Sequence, residues 1–123
     1  MTSTPKCMAF SPFENIIAVG FASGSVKLLD VDTLTDLNSF SPTTHEILGL
    51  KFSSTGTYFA GFDSLRHVII FKKMGPSSYE YIGRSLSHSG NIVGIEFCNR
   101  EGGETLISVG EDRSEAPKCR IIC

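Results

Sequence analysis

The amino-acid sequence predicts an all-β fold built from repeated modules of antiparallel strands. Residues 10–30 align with residues 52–72 without a gap at an offset of 42, and apolar character is kept at almost every shared position. No stretch of about ten residues or more shows the ~3.6-residue apolar periodicity of a helix. Repetition at a period of about 20 to 50 residues indicates stacked units that pack against their neighbours.

A third copy of the module follows with a small insertion. Ile92–Phe97 aligns with Ile47–Phe52 at an offset of 45, and Leu106–Gly110 then aligns with the second copy at an offset of 48. The three additional residues fall around 100–104, a stretch that contains two glycines. The alignment therefore predicts a lengthened hairpin turn in the third copy.

Each module divides into short strands separated by turn-forming residues. The strands predicted in the first module are Lys6 to Phe10, Ile16 to Gly20, Ser25 to Asp30 and a weaker one at Leu37 to Phe40, whose counterpart in the second module is Tyr79 to Gly83. Four strands in about 42 residues are typical of a β-propeller blade.

Apolar residues occupy successive positions in two of these strands, Ile16–Val19 and Val68–Phe71. A strand with one wet face alternates apolar and polar residues, so these strands are predicted to be covered on both faces. A blade between two other blades has such cover. An antiparallel β-sandwich with chance hairpin similarity is the alternative.

The length accommodates about three blades, which together form a single partial propeller. Blade one is assigned to residues 6–40, blade two to residues 45–84 and an incomplete, divergent blade three to residues 88–123. In blade three, 114–118 interrupts a strand that resumes at Arg120. Closed propellers use about four blades or more, so the ring is predicted not to close. Its open faces lead us to expect that the isolated chain self-associates.

Charge and hydropathy restrict the class of partner. The formal net charge is −2, so the basic surface that a nucleic-acid binder or a polybasic membrane anchor needs is not expected. The longest apolar stretch, Val68–Phe71, is far shorter than the ~20 residues that span a bilayer. The first residues lack the apolar segment of a secretory signal. We therefore expect a cytoplasmic protein whose partners are neither nucleic acids nor membranes.

No pattern in the sequence indicates a metal or another cofactor. The acidic turn Asp30–Asp36 lacks the glycine and closing glutamate of a calcium loop. The spacing of the four cysteines matches neither a zinc framework nor a redox motif, and they are Cys7, Cys98, Cys119 and Cys123.

Catalytic motifs are missing as well, so the chain is expected not to be an enzyme. The sequence has no G-x-S-x-G nucleophile elbow, no P-loop and no G-x-G-x-x-G. His67 lies within a predicted strand, where a structural role is favoured. A fragment of an intracellular hydrolase, with its active site outside these blades, remains the alternative function.

Several segments together resemble the blades of WD-repeat β-propellers over residues 6–113. They are the period of about 42 residues, the Phe10–Pro12 turn, the run His88–Phe97 and the segment Ser108–Asp112. The chain departs from the family because it contains no Trp. Leu29-Asp30 and Phe71-Lys72 stand where the family has Trp-Asp.

The resemblance implies a structural hydrogen-bond network in each blade and a scaffold function for the whole. His88, Ser108 and Asp112 match the network positions, and Asp63 lies one place before the position equivalent to Asp112. His45 is a doubtful match for the family's histidine because its spacing from the first strand differs.

A narrower set of segments, among them Ala18–Phe21, Gly24–Asp30 and Ser108–Arg113, resembles axonemal WD-repeat proteins of motile cilia and flagella. This resemblance implies a cytoskeletal location in the axoneme, inside a large assembly, with calmodulin and radial-spoke components as partners. The predicted partner contacts lie in loops of one propeller rim, where arginine and aromatic side chains favour interfaces, and they are Phe21, Arg66, His88 and Arg113.

Overall fold

The computed structural model describes residues 4–12, 14–76, 78–86, 92–100, 103–110 and 118–122. Within these segments the chain forms β-strands and no helix, which confirms the predicted all-β class. The strands are β1 (Pro5–Phe10), β2 (Ile16–Phe21), β3 (Val26–Asp30), β4 (Asp36–Phe40), β5 (Ile47–Phe52), β6 (Tyr58–Asp63), β7 (His67–Gly75), β8 (Ser78–Leu86), β9 (Ile92–Arg100), β10 (Gly103–Gly110) and β11 (Lys118–Ile122).

The strands form three antiparallel sheets, and within each sheet every strand pairs with the next one along the chain. The first sheet has the order β1-β2-β3-β4, the second has β5-β6-β7-β8 and the third has β11-β10-β9. The register of the first hairpin recurs in all three sheets. Its equivalent cross-strand pairs are Phe10 with Ile17, Phe52 with Phe59, and Phe97 with Leu106.

Consecutive sheets lie side by side with their first strands in contact. β1 contacts β5, β5 contacts β9, and the outer strands β4 and β8 also meet. Each sheet thus occupies the position of a propeller blade with its first strand innermost. The described strands form an open arc and do not close into a ring, as the sequence predicts.

The larger hydrophobic core lies between the first and second sheets. The first sheet contributes aliphatic side chains to the buried cluster, and the second contributes aliphatic and aromatic ones in equal number. The rings of Phe59 and Phe71 stack with their centroids 4.3 Å apart, and Phe40 of the first sheet lies 4.9 Å from Phe71. The buried members are Ile16, Ala18, Val26, Leu28, Ile47, Leu50, Phe59, Ile69, Phe71 and Tyr79.

A second core lies between the second and third sheets. From the second sheet it takes Tyr58, Ala60, Phe62 and Val68, and from the third sheet Ile92, Ile95 and Leu106. Successive residues of β6 therefore point into two different cores, and all six residues of Tyr58–Asp63 are buried. The second sheet is covered on both faces, as its apolar run Val68–Phe71 predicts. For Ile16–Val19 the same prediction is not met within the described residues, because the first sheet packs against another sheet on one face only.

The third copy differs from the sequence alignment by one residue. Leu106 lies opposite Phe97 and is buried against the second sheet, so it is equivalent to Phe59 at an offset of 47. The expected lengthened turn is also wrong, because Arg100 pairs with Gly103 and the insertion extends both strands instead. Longer strands gain ladder hydrogen bonds that a longer turn would leave unpaired.

Polar contacts join elements at the end of the sheets where β1 and β5 finish. The Tyr79 hydroxyl donates a hydrogen bond to the carbonyl oxygen of Gly56, in the β5–β6 turn. Lys73 of the second sheet forms an ion pair with Glu14, in the β1–β2 turn of the first. Burial raises the pKa of Tyr79 to about 12, because a phenolate would lose its hydration there.

We expect Tyr79 to link stability to alkaline pH. Its folded pKa of about 12 exceeds the ordinary value of about 10, so its stabilisation is present below pH 10 and is lost as the pH rises towards 12. Tyr79→Phe removes this titration and lowers the free energy of unfolding near neutrality by about 1 kcal/mol. Phenolate absorbance and urea unfolding at fixed protein concentration measure both effects, and a Tyr79→Phe protein with an unchanged alkaline titration would contradict the prediction.

Candidate functional site

Three connections meet at the end of the sheets where β1 and β5 begin. They are the β2–β3 turn (residues 22–25), the β4–β5 connection (residues 41–46) and the β6–β7 turn (residues 64–66), and we call them the turn rim. The Ser64 amide donates to the carbonyl oxygen of Glu46 at 3.0 Å. The β6–β7 turn is thereby joined to the connection that links the first and second sheets.

The buried carboxylate of Asp63 organises the turn rim. Asp63 is 1% exposed, and each of its oxygens accepts two hydrogen bonds. Oδ1 accepts from the backbone amides of Leu65 at 3.0 Å and of His67 at 2.8 Å. Oδ2 accepts from Thr43 Oγ1 at 2.7 Å and from His67 Nδ1 at 3.0 Å. One side chain therefore fixes both its own turn and the preceding connection.

These donors decide the ionisation state of Asp63. Burial alone raises its pKa, but hydrogen bonds from Thr43 and from the backbone and ring of His67 outweigh burial and hold the pKa below its ordinary value. A carboxylate accepts four hydrogen bonds only when ionised. Asp63 is thus a negative charge at neutral pH, and the donors around it point at that charge.

The tip of the β6–β7 turn presents side chains to solvent. Arg66 has a left-handed backbone conformation with φ of 68°, and its amide donates to the Asp63 carbonyl oxygen at 3.2 Å. Such a conformation costs a non-glycine residue about 1 kcal/mol or more. Leu65 is 43% exposed, so a large apolar side chain stands at this tip beside an arginine.

Gly24 brings the β2–β3 turn of the first sheet against the β4–β5 connection. Its φ is +92°, and an added Cβ would overlap the carbonyl oxygen of Thr43. The backbone conformation and the lack of space each restrict this position to glycine. The first and second sheets therefore meet at the rim through backbone atoms.

The structure brings together only part of the predicted set of site residues. Asp63 and Arg66 belong to one turn. Phe21 lies at the end of β2, with the Lys27 ammonium 5.8 Å from its ring centroid, on the face of the first sheet opposite to the second. Ser108 lies in β10, where its backbone pairs with Ile95 and Lys118. The remaining predicted residues, His88, Asp112 and Arg113, lie outside the described residues.

Sequence reasoning missed two members of the network, Thr43 and His67. The family pattern directs attention to a histidine before the first strand, but the His45 amide instead donates to Thr43 Oγ1 at 3.2 Å. Thr43 occupies the network position and His67 supplies the imidazole from the following strand. The four-residue spacing from Asp63 to His67 was the only signal available.

No group of three or more metal-ligating side chains comes together among the described residues. In the same part of the chain, no helix has the length and apolar character needed to cross a membrane.

No protein-family model matches the sequence, but a solved structure identifies the fold. A crystal structure of RRP9 WD40 repeats matches 92% of this chain and 34% of the RRP9 chain, with a TM-score of 0.76 and 19% identity. The chain therefore has the WD-repeat β-propeller fold, as its sequence resemblance implies.

Two relatives share similar sequence over most of the chain. Cilia- and flagella-associated protein 251 of Chlamydomonas reinhardtii is 30% identical over 110 residues, which are 86% of this chain and 14% of that protein. Periodic tryptophan protein 2 homolog of Schizosaccharomyces pombe is 27% identical over 108 residues, or 87% of this chain and 12% of that protein. The chain spans a small part of either relative.

Replacing the Asp63 carboxylate should destabilise the fold in a pH-dependent way. Asp63→Asn removes the charge and points an amide group at existing donors, so we expect the free energy of unfolding to fall by about 2 kcal/mol at pH 7. The folded pKa is depressed, so this stabilisation is present above about pH 4 and is lost as the pH falls below it. Urea unfolding across this range measures the difference between the two proteins.

Asp32→Asn is the control, because Asp32 is exposed in the β3–β4 turn. Its effect should stay within about 0.5 kcal/mol. The role given to Asp63 would be refuted if both variants lost the same free energy of unfolding at pH 7. It would also be refuted if the loss for Asp63→Asn stayed unchanged in acid.

Two glycine-to-alanine substitutions test the contact between the first and second sheets at the turn rim. Gly24→Ala should lower the free energy of unfolding by more than about 1 kcal/mol, because of both its positive φ and the overlap with Thr43. Gly75→Ala is the matched control, since an added Cβ there meets nothing within 4 Å. Thermal unfolding of the two variants measures the difference in stability. A Gly24→Ala protein as stable as the Gly75→Ala protein would exclude the close approach of Gly24 to Thr43.

Proposed function

We propose that the chain is a non-enzymatic protein–protein interaction scaffold that binds its partner through the turn rim. The observation that carries the proposal is a rigid turn with exposed tips. The buried Asp63 network fixes the backbone of residues 63–67, while Leu65 is exposed at the tip of the turn with Arg66 beside it. A fixed loop that presents an apolar and a basic side chain loses little conformational entropy on binding.

The Asp63 network contains the same types of side chain as the catalytic site of some hydrolases. A carboxylate that orients an imidazole recurs in hydrolases, where a serine or threonine hydroxyl donates to the imidazole. Here the Thr43 hydroxyl donates to the carboxylate itself. The trio therefore orders a turn, and no observation favours the hydrolase alternative.

The proposed partner contacts on the rim begin with Arg66 and its neighbour Leu65. His88 and Arg113 lie outside the described residues, and we include both because the sequence pattern predicts them as partner contacts. Phe21 contributes from the adjacent edge of the first sheet. Arginine and aromatic side chains are enriched in interface cores.

We further propose that the assembly is the axoneme of motile cilia or flagella, with calmodulin and radial-spoke components as candidate partners. Support comes from the sequence resemblance and from the similarity to a relative named for cilia and flagella. Periodic tryptophan protein 2 shares the same blades, so the partner has to be identified by experiment.

Binding to demembranated axonemes tests the proposal. We expect the chain to co-sediment with axonemes, and Leu65→Glu and Arg66→Glu each to weaken binding about tenfold, the order of an interface residue worth ~1.4 kcal/mol. Immobilised calmodulin, with and without Ca²⁺, tests one candidate directly.

Met74→Glu is the control because Met74 is exposed on β7 near the opposite end of the sheet. Retained binding by the two rim variants, or equal weakening by Met74→Glu, would remove the rim as the binding surface. Turnover of an ester or phosphoester panel by the purified chain would contradict the non-enzymatic assignment.

A further inference from the structure

The first strand of each sheet contains a β-bulge at its second residue. In β1, β5 and β9 alike, the register with the next strand shifts across this residue, which is left without a position opposite it. The three residues are Lys6, Leu48 and Val93, and we call them the bulge row. All three lie at the turn-rim end of the sheets, close to the start of their strands.

Core packing does not account for the apolar members of the bulge row. Leu48 is 42% exposed and Val93 is 60% exposed, and neither belongs to the two cores. A β-bulge turns a side chain away from the regular alternation of its strand. The second sheet has another sheet on each face, so the exposure of Leu48 does not result from an uncovered face.

The members of the bulge row lie on neighbouring strands. Since β1 contacts β5 and β5 contacts β9, their order in space is Lys6, Leu48, Val93. Three residues further along, equivalent positions of β5 and β9 hold Lys51 and Glu96, whose charged groups are 3.5 Å apart. Equivalent positions of these strands are therefore near enough for one short segment of polypeptide to contact them.

The side chains of the bulge row indicate the chemistry of a ligand. Leu48 and Val93 offer apolar contacts, and the exposed Lys6 offers a positive charge that a carboxylate complements. One contact position in each sheet suits a chain with regularly spaced side chains. Two apolar members out of three, on a chain of net charge −2, do not suit a nucleic acid.

We propose that the bulge row binds an extended segment of a partner protein that carries one carboxylate and two apolar side chains. The carboxylate faces Lys6, the first apolar side chain packs on Leu48 and the second packs on Val93. This inference rests on the scaffold function proposed for the turn rim and extends its surface. The two surfaces are continuous, because Ile47, next to Leu48, pairs with Asp63 of the rim network.

Selection from a phage-displayed library of random short peptides tests the proposal. Peptides selected on the chain should share a carboxylate and two apolar residues in this order, read from either end. In fluorescence anisotropy with one such synthetic peptide, Leu48→Ser and Val93→Ser should each weaken binding about tenfold. Ile82→Ser is the matched control, because Ile82 is 50% exposed and also stands at a register shift, but on the outer strand β8.

A charge reversal gives a readout that a misfolded variant could not produce. Selection on the Lys6→Glu protein should return peptides with a basic residue in place of the carboxylate. The proposal would be overturned by the absence of a shared motif, or by an unchanged acidic preference of the Lys6→Glu protein. Equal weakening by Leu48→Ser and Ile82→Ser would overturn it as well.

The same variants separate this proposal from the function of the turn rim. Axoneme binding that is weakened by Leu65→Glu but unchanged by Leu48→Ser would refute the bulge row and leave the rim contacts standing. Peptide binding that depends on Leu48, in a chain whose axoneme binding is unaffected by Leu65→Glu, would support the bulge row and refute the rim contacts.

Discussion

The fold depends on packing that covers both faces of the second sheet. β6 is buried along its whole length, and its successive side chains point into two different cores. A single sheet cannot provide both, because alternate strand residues point to opposite faces. The second sheet is therefore stable only between two neighbours. The turn rim depends on the same packing, since Asp63 is the last residue of β6 and its partner Thr43 comes from the connection to the first sheet.

The strands of the first two sheets could be predicted closely because their signals are local. Ile16 starts the second strand both in the prediction and in the structure, directly after a run of turn formers. The third copy was predicted less well, since the alignment offset of 48 placed Leu106 one residue out of register. A one-residue slip exchanges the two faces of a strand. Only packing against the second sheet distinguishes the two registers, and the sequence of the third copy does not contain that information.

In the candidate site, too, only the residues with a local sequence signal could be predicted. Asp63 could be found because an acidic residue at the end of a strand, before a turn, is a local feature. Thr43 is twenty residues away, and its hydroxyl meets the carboxylate only after the sheets have packed. The WD-repeat pattern expects a histidine before the strand, whereas this chain takes its imidazole from His67, after the turn. The chemistry of the network is retained while the residues that supply it change place.

The core positions of a blade are determined by packing and its rim positions are not, which explains why similarity between blades does not identify a partner. Positions such as Phe59 and Phe71 are completely buried, so packing restricts them to apolar residues whatever the partner is. Relatives named for cilia and for periodic tryptophan share these blades at nearly equal identity, 30% and 27%. Leu65, by contrast, is exposed on the β6–β7 turn and belongs to neither core. Identifying the partner therefore depends on rim residues such as Leu65, which packing does not determine.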